Sequence, residues 1–215
     1  LGRCLPKFRE RLENEITRLT AVKALTKIAH SPLRIDPGPS RKDSFPVLAG
    51  FLRKNQRALK LATLLLLDVL VRNYGSQVVP ADVETVLREV PPLLTEADLH
   101  IAQLSMTFLS SVSVACKPAL PTLASTCLAH VFRLAQSPLL QGGALTAMLD
   151  LFKDIVAAQM PNFNQKRLLE LLVNPVIGEA GVEIHKQGRA SIAKCVAAVV
   201  STQTQAEALA VVNQF

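Results

Sequence analysis

The chain has 215 residues, 49% of them apolar and 19% charged, with a formal net charge of +7. That apolar fraction excludes a disordered chain, and the length buries a sizeable core in one or two domains. Thirty-five Leu and 26 Ala beside eight Phe, one Tyr and no Trp argue against a β-sandwich or barrel, which leans on aromatic and β-branched residues, and for helices.

The predicted elements come in pairs, a short helix followed by a long one. Leu5–Leu12 precedes Glu15–His30, whose Ile16, Leu19, Val22, Leu25, Ile28 and Ala29 share a face. Phe45–Arg53 precedes Gln56–Tyr74, which holds the longest apolar run, Leu61–Val71. That run is interrupted by Thr63 and Asp68 and falls short of the roughly 18–20 residues a membrane span needs. Ala81–Leu94 precedes Thr95–Cys116, Ala119–Ala135 precedes Gln141–Gln159, and Gln165–Val173 precedes Glu183–Ser201. Each long segment places its apolar residues at the 3.6-residue period of an amphipathic helix. Gln205–Phe215 begins a sixth unit.

Long helices anchored at Glu15, Gln56, Ala97, Gln141 and His185 are spaced by 41, 41, 44 and 44 residues. A helix-pair repeat of about 40–47 residues is the HEAT or armadillo class, and two helices per unit favour HEAT. The fold class expected is therefore all-α: an α-solenoid of about five HEAT-type hairpins in a right-handed superhelical array. The approximate repeats are 1–33, 44–76, 80–117, 118–160 and 163–203, with 204–215 starting a sixth. Pro32, Pro46, Pro80, Pro118, Pro138, Pro161 and Pro175 are expected at element edges, where a missing N–H costs no helix bond. Ser44, Thr95, Asn164 and Thr204 are expected N-caps. Pro91-Pro92 should end or kink its helix, and Ser31–Ser44 is expected as a surface loop. The long helices are expected to line a concave face. The chain opens Leu1-Gly2-Arg3 without Met, the expectation for a fragment of a longer array.

Chemistry-bearing motifs are sparse. The adjacent glycines Gly142-Gly143 sit at a helix start, where close backbone packing outweighs an anion site. His30, His100, His130 and His185 are scattered, and none has a second ligand type three or four residues on. Cys4, Cys116, Cys127 and Cys195 form no C-x-x-C pair, so reduced, buried thiols are expected, including Cys195 beside Lys194. Asp150 and Asp154 flank Lys153 on one helix and read as a solvated face. No catalytic, cofactor-binding or metal residue is assigned, and the expectation is a non-enzyme with no cofactor.

The positive charge is localised. Residues 1–60 hold 14 Lys or Arg against 5 Asp or Glu, a net of +9, whereas residues 61–160 hold 5 against 8, a net of −3. The basic residues Arg18, Lys23, Lys27, Arg53, Lys54, Arg57 and Lys60 are the candidate partner-binding set. Three readings stand: a solvated helix face, an acidic protein partner, and nucleic acid or a transcription factor. Nucleic acid ranks last because no stacking aromatics interleave with the charge.

Four stretches carry a resemblance: NEITRLTAVKALTKIAHSPL (Asn14–Leu33), FLRKNQRALKLATL (Phe51–Leu64), SPLLQGGALTAMLDLF (Ser137–Phe152), and HKQ followed by SIAKCVAA (His185–Ala198). In these the chain closely resembles the cullin-associated neddylation-dissociated protein family, over nearly its whole length and in register. Asp36–Ser44 and Ala157–Lys166 match least well. Small differences point to the muscle-enriched branch of the family, also described as interacting with the TATA-binding protein. The resemblance implies a HEAT superhelix, without catalytic activity, that wraps a cullin–RING scaffold lacking the ubiquitin-like modifier. It implies competition with substrate-receptor modules, and hence regulation of ubiquitin-ligase assembly, in cytoplasm and nucleus. It places this chain as an interior stretch, expected to be monomeric, between two cullin-gripping ends, and supplies no residue-level cullin contact.

Overall fold

The computed structural model describes residues 5–31, 40–159, 164–177 and 184–201. Eleven α-helices run through them, and none of the described residues lies in a strand. The first helices of the successive pairs are α1 (Leu5–Glu13), α3 (Ser40–Leu52), α5 (Pro80–Leu87), the split pair α7 (Leu120–Thr126) and α8 (Leu128–Ala135), and α10 (Gln165–Ile177). The second helices are α2 (Arg18–Ala29), α4 (Arg57–Tyr74), α6 (Leu99–Ala115), α9 (Gly142–Ala158) and α11 (Lys186–Val200). Second helices pack side by side in chain order, α2 on α4, α4 on α6, α6 on α9 and α9 on α11. First helices α1, α3, α5 and α7 form a parallel layer. The protein is an all-α solenoid.

The core runs unbroken between the two layers. A helix inside such an array is flanked on three sides, so its apolar stripe widens until little polar surface is left. In α4, Leu59, Leu64, Leu66, Leu67 and Val71 are all essentially inaccessible. This explains the largely apolar Leu61–Val71 run without a membrane. Among the described residues no single helix is long and apolar enough to cross one. The only aromatic stack among them is Phe132 on Phe152, with ring centroids 5.6 Å apart.

Polar links between consecutive units recur at nearly constant sequence separation. Asn73 Nδ2 donates to the Ala29 carbonyl at 2.8 Å, 44 residues away. Arg57 meets Asp98 across 41 residues. Ser111 Oγ donates to Asp68 Oδ1 at 2.5 Å across 43. Ser110 reaches Asp154 across 44, and Ser137 reaches Glu96 across 41. These separations are the stacking period of the array, because equivalent points on neighbouring units face one another.

Several helix ends differ from the sequence reading, each for a local reason. Helix α3 begins at Ser40, inside the stretch expected as loop, so Ser44 is an interior residue and not an N-cap. Pro46 and Pro175 lie within α3 and α10 and not at their edges. Pro46 costs a helix hydrogen bond, which burial of Phe45, Leu48, Ala49, Phe51 and Leu52 around it offsets. Pro91-Pro92 ends the third short helix as expected: α5 stops at Leu87 and Pro91–Leu93 forms a 3-10 turn. Thr95 does not cap the long helix that follows. A 3-10 turn, Glu96–Asp98, intervenes, and Asp98 caps α6 by accepting from Ile101 N at 3.1 Å. The Ala119–Ala135 helix breaks at Cys127. There the Thr122 carbonyl accepts from Thr126 Oγ1 at 2.7 Å and Ser125 Oγ at 3.2 Å. Such back-bonding bends a helix, and Cys127 Sγ lies 3.5 Å from the Leu87 carbonyl of the preceding unit. Asn164 caps α10 through a 2.9 Å bond from Arg167 N. Thr204, Pro32, Pro161, Cys4 and the expected helix Gln205–Phe215 lie outside the described residues.

Candidate interaction surface

The seven basic candidates divide by residue type. The three arginines are engaged within the chain. Arg18 is only 9% exposed; its Nη2 donates to the Glu13 carbonyl at 3.2 Å, and its Cζ sits 5.4 Å above the centre of the Phe51 ring. Burial removes Arg18 from the partner-facing set, and the cation–π contact is part of the packing of α2 on the end of α3. Arg53 pairs with Glu89 at 3.3 Å. Arg57 pairs with Asp98 through Nε at 2.5 Å and Nη2 at 3.1 Å. The hydrogen bond from Arg57 holds the Asp98 carboxyl below the usual aspartate range, and Asp98 in turn raises the Arg57 guanidinium.

The four lysines remain available. Lys23 and Lys27 are exposed one turn apart on α2, Lys54 is exposed in the turn before α4, and Lys60 is half-buried on α4. None of the four forms an ion pair among the described residues. Arg53 and Arg57 each reach a carboxylate of the next unit, a match that arginine's planar fork favours.

A second feature was missed by the sequence reading. A cleft of about 330 Å³ opens between α4, α6 and α9, lined by Arg72, Thr107, Ser110, Asp150, Lys153 and Asp154. Beneath it lies Asp68, only 8% exposed, which accepts from Arg72 Nη2 at 2.8 and 3.0 Å and from Ser111 Oγ at 2.5 Å. The Asp150–Lys153 pair is loose, at 3.7 Å. Asp154 is not part of a solvated face. It turns toward α6 and accepts from Ser110. No local pattern marks this, because Ser110 and Asp154 belong to different units.

The remaining chemistry-bearing residues are structural. Cys116, Cys127 and Cys195 are buried free thiols. Burial pushes Cys127 to about 11 and Cys195 to about 12, far from the range of a reactive thiolate. Lys194 does not offset this, as it points outward while Cys195 is buried. Gly142 adopts φ +56°, a left-handed conformation that glycine tolerates, and a side chain on Gly143 would strike Gln103 of α6. Among the described residues no three His, Cys, Asp or Glu side chains are placed to hold a metal ion.

Helix pairs stacked in chain order around one continuous core define a helical-repeat protein. Solved structures agree on the fold. A designed armadillo repeat protein superposes with a TM-score of 0.66 at 14% identity, covering 92% of this chain and 82% of its own. An engineered protein superposes at 0.55 with 16% identity, covering 98% and 87%. No protein-family model matches. Curated relatives do. A cullin-associated NEDD8-dissociated protein 1 from Drosophila melanogaster is 44% identical over 93% of the chain, and a protein 2 from Mus musculus is 45% identical over 88%. The protein 1 from Arabidopsis thaliana is 37% identical over 92%. The chain belongs to the cullin-associated NEDD8-dissociated protein family. It spans only 16–17% of the length of these three relatives. The near-equal identities to the fly protein 1 and the mouse protein 2 do not separate the two members.

Proposed function

We propose that the chain is one stretch of a non-enzymatic scaffold that binds cullins and regulates the assembly of cullin–RING ubiquitin ligases. The observation that carries this reading is 32–45% identity, over about nine-tenths of the chain, to proteins named for cullin association. On this reading the full array binds cullin–RING complexes that lack the ubiquitin-like modifier and competes with substrate-receptor modules, in cytoplasm and nucleus. The array divides into repeats 1–33, 44–76, 80–117, 118–160 and 163–203, with 204–215 opening the next, and the isolated chain is monomeric. Lys23, Lys27, Lys54 and Lys60, with Arg53 and Arg57 at the exposed ends of their ion pairs, are the residues offered to an acidic partner surface, and Arg18 is the one member of the set that burial holds back.

The test is titration of the chain, and of a full-length family member containing it, with unmodified and modified cullin–RING complex. The full-length protein is expected to bind the unmodified complex tightly and the modified complex poorly. The chain alone is expected to bind weakly, because a solenoid grips through many units. Nanomolar binding by the chain alone, or equal binding of both complexes by the full-length protein, overturns the reading. Charge reversal at the four lysines tests the surface: an unchanged affinity and salt dependence removes them. The open lysines also keep a second reading alive, in which the flank contacts the TATA-binding protein or nucleic acid. Steeply salt-dependent binding of the chain to duplex DNA is its signature.

A further inference from the structure

We propose that the cleft between α4, α6 and α9 is a docking site for a partner-protein segment that presents an arginine or lysine between aliphatic side chains. The site is separate from the open lysines and does not depend on the partner being a cullin.

The charge in the cleft is unevenly compensated. Arg72 is neutralised from below by Asp68, which it contacts through both carboxylate oxygens. Lys153 is tied, loosely, to Asp150. Asp154 has no cation partner among the described residues and accepts only from the Ser110 hydroxyl. A carboxylate has about four lone-pair sites, so most of the acceptor capacity of Asp154 is unspent. An incoming guanidinium or ammonium group is the chemistry that completes it.

The cleft is also flanked by the wrong residues for a bare solvated face. Leu65 on α4 is 43% exposed and Val114 on α6 is 63% exposed. Leu65 lies two turns before Arg72, and Val114 one turn after Ser110, so each shares the helix face that lines the cleft. An acidic cleft with aliphatic shoulders suits a basic side chain whose stem and neighbours are apolar. Counting Asp68 below it, the cleft gathers three carboxylates against two cations, and that negative surplus disfavours an acidic peptide or nucleic acid.

The test uses two capped octapeptides, Leu-Ala-Arg-Leu-Leu-Arg-Ala-Leu and its counterpart with Glu for Arg, titrated into the isotope-labelled chain. The Arg peptide is expected to shift amides of residues 107–114 and 147–154, and the Glu peptide is not. Asp154→Asn is expected to weaken the Arg peptide about three- to fivefold, the scale of one partly exposed ion pair. Lys153→Gln, which removes a competing cation, is expected to tighten it. A melting temperature of Asp154→Asn equal to that of the parent chain separates the lost contact from a folding defect. Equal binding of both peptides, shifts mapping outside the cleft, or unchanged affinity in Asp154→Asn overturns the proposal.

Discussion

The Arg57 guanidinium and the Asp98 carboxylate meet at 2.5 Å across 41 residues, and the same carboxylate caps α6 by accepting from Ile101 N at 3.1 Å. One side chain thus starts a helix and sets that helix against the previous unit. The two roles separate by substitution. Asp98→Asn keeps a good cap but loses the charge, whereas Asp98→Ala loses both, and the missing cap costs about 1 kcal/mol. Asp98→Ala is therefore expected to lower the urea midpoint clearly more than Asp98→Asn. Equal losses would mean that the ion pair, not the cap, is what Asp98 contributes.

The same residue predicts a pH dependence. Arg57 lowers the folded-state pKa of Asp98. A depressed carboxyl contributes stability that is full above the unfolded aspartate value, near 3.9, and is lost as pH falls through the lower folded value. The midpoint difference between the parent chain and Asp98→Asn should be constant from about pH 5 to 7. It should shrink below about pH 4 and disappear in stronger acid. A difference that grows on acidification contradicts the assignment.

Asp68 is buried between α4 and α6 with two partners, Arg72 and Ser111. Ser111→Ala leaves one oxygen of a buried carboxylate with less compensation. Hydrogen bonds to charged groups contribute about 1.5–3 kcal/mol, and a loss in that range is expected by urea unfolding. Hydrogen exchange should speed first in α4 and α6, because a solenoid loses stability locally. Uniform acceleration across all units argues for a global effect instead.

Two glycines separate packing from propensity. Gly188 in α11 faces the Gln136 carbonyl closely enough that an added methyl would collide with it. Gly188→Ala is expected to loosen α11 and lower the melting temperature. Gly50 in α3 has only the flexible end of Arg53 nearby, at 3.9 Å. Gly50→Ala is expected to stabilise by about 0.5–1 kcal/mol, the helix preference of Ala over Gly. The paired melts have opposite signs if the packing is as described.

Thr63 Oγ1 and Ser105 Oγ are fully buried with no hydrogen-bond partner among the described residues, 42 residues apart on α4 and α6. A buried unsatisfied hydroxyl costs about 1–3 kcal/mol. Thr63→Val and Ser105→Ala are expected to raise the urea midpoint, and a fall in both shows that the hydroxyls are satisfied in solution.

Much of the array is legible in the sequence. The repeat of apolar residues every 3.6 positions places the long helices, as for Gln56–Tyr74 against the observed Arg57–Tyr74. Proline chemistry locates the break at Pro91-Pro92. The break at Cys127 is hidden, because hydroxyl back-bonding to one carbonyl is a matter of rotamer and not of composition. The caps at Ser44 and Thr95 fail because a helix start depends on where the preceding chain is held, and the packing of α3 and the turn before α6 moved it. The candidate surface is the least legible part. Sequence does not show that Arg18 is buried or that Arg53 and Arg57 find carboxylates in the next unit, because those partners arrive only with stacking.

The sequence by itself determined the all-α class, the period of 41–44 residues, the buried thiols and the family, because helical periodicity, helix breakers and residue identities are written locally along the chain. The tertiary structure decided which charges are open, that Asp98 both caps and clasps, and that Asp154 faces Ser110 across a cleft. Those relationships join residues 41–44 positions apart, and such partners come into contact only when one unit stacks on the next.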